Sequence, residues 1–232
     1  FKSFESLIVN GLIGKDFQFP YMVKKETDFD IKQGEKSFLE LASNSEELED
    51  GLSKIDFHSQ NDLTEELHTL SYSHFGLFIY KSRNLYLAVR CWPGKKPYHL
   101  GHMHLDQLSV ELVIEGKECI TDPGSYVYNP SPRKRWLYRS NKAHFSPFQN
   151  SNIPQEYIDE PFSLIKPEPL QVSFFDKSGF FVEYIYNNER KRFCILIKKK
   201  KVSIISSCLD GKSLSLGLDI PLSKGYGVLL NR

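Results

Sequence analysis

The feature that most constrains this chain is a succession of short aromatic and β-branched runs, each bounded by turn residues, that starts near His74 and continues to the end. Gly76 to Tyr80 and Leu85 to Arg90 flank Ser82-Arg83-Asn84 and read as a hairpin. Leu108 to Glu115 follows, then a turn at Gly116-Lys117 and a strand to Thr121. Phe180 to Tyr186, Arg192 to Ile197, Val202 to Ser207 and Gly225 to Leu230 repeat the pattern. Strands this short and this regularly spaced predict an antiparallel sandwich or barrel. The basic run Lys198 to Lys201 lies between two of them and reads as a solvated hairpin turn.

The first seventy or so residues differ in texture. Phe4 to Ile13 has loose helical spacing, and Ser43 to Leu52 pairs an acidic run with Leu48 and Leu52 at i, i+4. The expected organisation is a lead-in of short helices, strands and loops over 1–72 and an all-β antiparallel domain over 73–232. With 232 residues the area scaling gives roughly 11,000 Å² folded against about 39,000 Å² unfolded, enough for one large core. A net charge of +1 supplies no global field towards nucleic acid or an anionic membrane. No apolar run approaches the roughly 20 residues of a membrane helix. The chain begins at Phe1 with no signal-peptide pattern, so it is expected to be processed or cut from a longer protein. Cys91, Cys119, Cys194 and Cys208 form no C-x-x-C pair, which removes zinc-ribbon and thioredoxin readings, and three of them sit in strand-like apolar runs as small hydrophobes.

Chemistry concentrates in Gly101-His102-Met103-His104-Leu105-Asp106-Gln107-Leu108-Ser109, Asp122-Pro123-Gly124-Ser125-Tyr126-Val127-Tyr128 and Arg139-Ser140-Asn141-Lys142-Ala143-His144. Neutral imidazoles with one carboxylate suit a borderline-soft cation. An H-x-H alone is weak evidence. If the first segment were extended, His102, His104 and Asp106 would continue the apolar stripe of Leu108, Val110, Leu112 and Ile114. A turn at Gly116-Lys117 would then place Asp122 opposite Glu111, far from His104. The two arrangements exclude each other: for His104 and Asp122 to meet, residues 101–107 must bend back across the sheet. A cupin reading expects a glutamate ligand soon after H-x-H, whereas Glu111 comes seven residues after His104. No G-x-S-x-G elbow is present for a serine nucleophile.

At these residues the sequence resembles the heparinase II/III-like β-sandwich domain of polysaccharide lyases. The family pattern runs roughly G-H-x-H-x-D-x-L-S, D-P-G-x-Y-x-Y and R-S-x-x-x-H-N. The chain matches all of it except the last position, where Phe145 stands for Asn. The resemblance implies metal ligands at His104, Asp122 and His144, with zinc the expected ion and calcium the alternative. It implies an acid–base role for His102 at the substrate cleft, substrate contacts from Tyr128 and Arg139, and an imidazole-orienting role for Asp106. The implied reaction is β-elimination next to a uronic acid in an acidic polysaccharide. In the family an upstream α/α toroid supplies the catalytic tyrosine and a group that neutralises the carboxylate. This chain is therefore expected to hold the sandwich half of the cleft, to have little lyase activity alone, and to be secreted or periplasmic. The other reading is a non-catalytic carbohydrate-binding or scaffold module.

Overall fold

A computed structural model of the chain describes residues 31–46, 48, 50–94, 102–128, 130–148, 169–186, 188–207 and 220–230. The helical spacing over Phe4 to Ile13, and Cys208, lie outside them. In order the elements are α1 (Ile31–Ser43), β1 (Leu52–His58), β2 (His68–Tyr72), β3 (Leu77–Lys81), β4 (Leu85–Arg90), β5 (Val110–Ile114), β6 (Lys117–Ile120) and α2 (Pro132–Arg139). A single 3-10 turn (Asn141–Ala143) leads to β7 (Phe174–Asp176), β8 (Gly179–Tyr186), β9 (Glu189–Lys198), β10 (Lys201–Ser207), β11 (Leu222–Gly225) and β12 (Val228–Leu230).

Two five-stranded antiparallel sheets, ordered β1-β10-β9-β8-β7 and β2-β3-β4-β5-β6, form the body, and β11-β12 is a separate hairpin. One core joins the sheets: Tyr80, Leu87 and Leu112 of the second share it with Val182, Phe193 and Ile204 of the first. Rings cross the gap directly, with Phe78 at 5.4 Å from Phe180 and Tyr80 at 5.2 Å from Phe175. This is a β-sandwich, as the strand spacing predicts.

The near-continuous apolar runs of β8 and β9 follow from burial on both faces. Phe180 and Val182 point into the sandwich, while Phe181, Cys194, Leu196 and Ile205 meet Phe38 and Leu41 of α1 on the other side. Phe38 stacks on Phe174 at 4.2 Å. Gly34 belongs to this contact: a Cβ there would lie 2.2 Å from the Ser173 carbonyl oxygen, so the helix can approach the sheet only with no side chain at that position.

Three expectations need correction. The helix of this region is Ile31–Ser43, and Glu46 and Asp50 of the acidic run lie in turns after it. Two leucines give the run too narrow an apolar stripe for a helix; Leu48 and Leu52 pack beside α1, and Glu46 lies 3.0 Å from Lys201 and 3.5 Å from Lys54. Gly225 to Leu230 is not one strand: Tyr226 and Gly227 form the turn between β11 and β12. Finally, the β5-β6 turn is Glu115-Gly116, with Ile114 opposite Lys117, one residue earlier than expected. Glu115 at φ 53° and Gly116 at φ 77° give the mirror-image turn that matches strand twist, and Glu115 is a residue that sequence patterns do not place there. The basic run forms the predicted hairpin: Lys198 pairs with Lys201, and the Lys199 and Lys200 carbonyls accept hydrogen bonds from the Leu63 and Ser59 amides.

Candidate active site

The second sheet ends at Val110, and the segment before it is not extended. Leu108 has φ 54°, and its amide donates to the Arg90 carbonyl, so residues 102–107 turn away from the line of β5. Of the two arrangements left open by the sequence, the bent one holds. Buried Gln107 anchors the bend by imitating a strand backbone. It accepts from the Trp92 amide at 2.6 Å through Oε1 and donates to the Trp92 carbonyl at 3.0 Å through Nε2. Ser146 Oγ donates to the Gln107 carbonyl at 2.7 Å. Replacing Gln107 with leucine leaves both Trp92 backbone groups without these partners, and we expect a loss of about 1–3 kcal/mol, read from urea unfolding. An unchanged midpoint would show that this anchor is dispensable.

Helix α2 holds the same segment from the other side. Proline at its first position suits a helix start. Met103 and Leu105 pack on Trp136, Arg139 Nε donates to the Met103 carbonyl at 2.9 Å, and the Leu105 amide donates to the Arg139 carbonyl at 2.8 Å. With Met103 and Leu105 packed on the helix, His102 is exposed and His104 is half-buried with its ring facing that of His144.

His144 follows the 3-10 turn and is buried, its side chain 1% exposed. Its Nδ1 lies 2.5 Å from Asp122 Oδ2, and the Gly124 amide donates to Asp122 Oδ1 at 2.8 Å. The His104 ring stands 5.3 Å from that of His144, centroid to centroid. The structure thus brings together His104, Asp122 and His144, which lie up to forty residues apart in sequence. Burial, then the neighbouring His144, pushes the His104 imidazole down to about 3, so it is neutral at ordinary pH. Burial works against charge on Asp122 and His144 too. The bond between them outweighs it, holding the Asp122 carboxyl below and the His144 imidazole above their ordinary values.

Two neutral-capable imidazoles and a carboxylate have the right chemistry for zinc, and His144 Nε2 is buried with no hydrogen-bond partner. Their placement does not yet form a cage: among the described residues no three His, Cys, Asp or Glu side chains stand where they could hold one ion. The close Asp122–His144 contact is the reason. Atoms bound to one tetrahedral zinc at about 2.0 Å are separated by roughly 3.3 Å, so 2.5 Å is a hydrogen bond rather than a pair of ligands.

The other sequence candidates separate clearly. His102 is exposed, and its ring meets that of Tyr128 edge-on at 5.9 Å. Tyr128 is 37% exposed, with the Arg135 guanidinium 4.7 Å from its ring centre. Arg139 is 3% exposed, and its Nε donates to the Met103 carbonyl within the H-x-H segment. Asp106 sits 3.6 Å from Arg90 Nε; burial raises its pKa against the pull of that arginine. Its charge is felt at His144, but its side-chain ion pair is with Arg90. Phe145, where the family pattern has Asn, fills the main core. Gln107 and Trp136 were not picked out as site residues, because a side chain that imitates backbone or clamps a loop leaves no local periodicity to find.

The loop over 123–126 is secured by the β11-β12 hairpin. Ser223 and Gly227 donate their amides to the carbonyls of Pro123 and Tyr126, each at 2.8 Å, and Tyr138 Oη donates to the Pro221 carbonyl at 2.6 Å.

Residues 66–145 match the family model described as heparinase II/III-like, C-terminal. A solved structure described as a heparinase III gene product with methylated lysines aligns with 15% identity and a TM-score of 0.39. The alignment covers 58% of this chain and 20% of that one. The chain thus spans about a fifth of the length of that protein. No curated protein matches the chain.

Proposed function

We propose, from the match of residues 66–145 to the family model described as heparinase II/III-like, C-terminal, that this chain is the β-sandwich portion of a polysaccharide lyase. Its substrate is a uronic-acid-containing chain, cleaved by β-elimination, and an α/α toroid upstream in the same protein completes the cleft. The observation that carries this reading is the division of labour among the three motif histidines. His144 is buried against Asp122 and His104 is half-buried beside it, whereas His102 is exposed and lies edge-on to exposed Tyr128.

The elimination removes the C5 proton, forms the C4–C5 double bond and breaks the C4–O bond, and the departing oxygen takes a proton. His102 is the group of this chain that holds or moves a proton at the cleft, a role imidazole side chains commonly fill. Tyr128 presents its ring and hydroxyl beside it as a sugar contact. Arg139 also holds the loop through the Met103 carbonyl, and Asp106 pairs with Arg90 near the same bend.

His104, Asp122 and His144 are the proposed zinc ligands. When bound, the ion would supply a fixed positive charge and a cross-link between three loops, and Asp122 would exchange its bond to His144 for one to the metal. Dialysis against zinc should leave a stoichiometric ion on the chain, measured by elemental analysis, and His104→Ala or His144→Ala should abolish it. A wild-type chain that takes up no zinc removes the metal from this reading. The lyase reading itself is tested by joining the chain to its toroid and following the ultraviolet absorbance of the unsaturated uronate product. Glycan binding without any such product would favour the non-catalytic module.

A further inference from the structure

We infer that Tyr226, at the tip of the β11-β12 hairpin, is a stacking residue for a pyranose ring of an anionic polysaccharide and forms with Tyr128 a two-ring platform leading away from His102. The inference rests on the lyase reading above and extends the cleft to a hairpin outside the family-matched segment.

Tyr226 is 62% exposed, in a turn between Gly225 and Gly227. An aromatic ring held in water at a hairpin tip adds nothing to the core. Its orientation is nevertheless defined: it lies 13° from parallel to the Tyr128 ring, with centroids 6.2 Å apart. The hairpin is tied to the site by the Ser223–Pro123 and Gly227–Tyr126 hydrogen bonds, so the ring is carried on the same framework as the D-P-G loop. His102, Tyr128 and Tyr226 therefore form a continuous row, edge-on at the first step and near-parallel at the second.

Flat aromatic faces suit the C–H faces of sugars, and their hydroxyl edges can stay in water. The charge around the row selects the class of sugar. Lys134 is exposed and lies 5.5 Å from the Tyr126 ring centre, Arg133 is exposed on the same helix, and Arg135, itself buried, backs the Tyr128 ring with its charge. These cations favour carboxylate or sulfate groups on the stacked chain.

The test uses the whole chain and two probes, a hexasaccharide of alternating glucuronate and N-acetylglucosamine and its carboxyl-reduced form, titrated by calorimetry. We expect Tyr226→Ala to weaken the uronate probe roughly fivefold, the loss of one aromatic face. Tyr226→Phe should bind as the wild type does, the reduced probe should bind more weakly throughout, and none of the variants should change the melting temperature. If the wild type binds, Tyr128→Ala weakens it and Tyr226→Ala does not, the platform is wrong and the lyase cleft stands. If the wild type binds neither probe at millimolar concentration, both ideas fail. Equal binding of the two probes overturns the anionic class.

Discussion

On the proposed lyase function, His102→Ala in the chain joined to its toroid should lower kcat by about 10²- to 10⁴-fold, the usual contribution of a positioned acid or base. The side chain is exposed and outside the packed clusters, so the variant should unfold at the wild-type temperature and its KM should move little. That split distinguishes a proton-transfer role from a structural one. His144→Ala gives the contrast: its ring is buried against Asp122, and its loss should lower stability as well as activity. Steady-state kinetics with thermal melts on both variants would decide it. His102→Ala activity within tenfold of wild type would remove His102 from the chemistry.

The largest effect on stability is expected at Phe180. This side chain is fully buried between the sheets, 5.4 Å from Phe78 and 6.3 Å from Phe193 by ring centroid. Phe180→Ala loses the transfer energy of the ring and leaves a cavity that two rigid sheets cannot close, a cost of about 3–5 kcal/mol. At about 2–4 °C per kcal/mol for a chain of this size, Tm should fall by roughly 10 °C. Ile185→Ala on the same strand is the control, because Ile185 is 69% exposed and its replacement should stay within about 0.5 kcal/mol. Similar losses at the two positions would contradict the assigned faces of β8.

Most strands after residue 76 could be read from their own composition because alternation and turn residues are local signals, and Lys199-Lys200 is a turn for the same reason; β7 could not, and Gly225 to Leu230 held the turn at Tyr226-Gly227. β1 and β2 were hidden. Leu52–His58 carries Lys54, Asp56 and His58 among its apolar residues, and it becomes a strand by pairing with β10, which no local pattern announces. The site divides in the same way. The residues that carry chemistry stand in motifs and could be named, and the bend that unites His104 with Asp122 could be stated as a condition. The devices that produce the bend, Gln107 on Trp92 and Met103 and Leu105 on Trp136, join segments without any shared period.

The pairing of β1 with β10 also sets an order of events during synthesis. Leu52 lies opposite Ser207, and among the described residues β1 has no other neighbour in its sheet. The second sheet, a meander of five consecutive strands, can assemble as soon as Ile120 has left the ribosome. The first cannot take in its earliest strand until β10 emerges some eighty residues later. Through that interval β1 is an unpaired edge, and its alternating charges, Lys54 and Asp56, are what a nascent chain needs to keep such an edge from pairing with a neighbour.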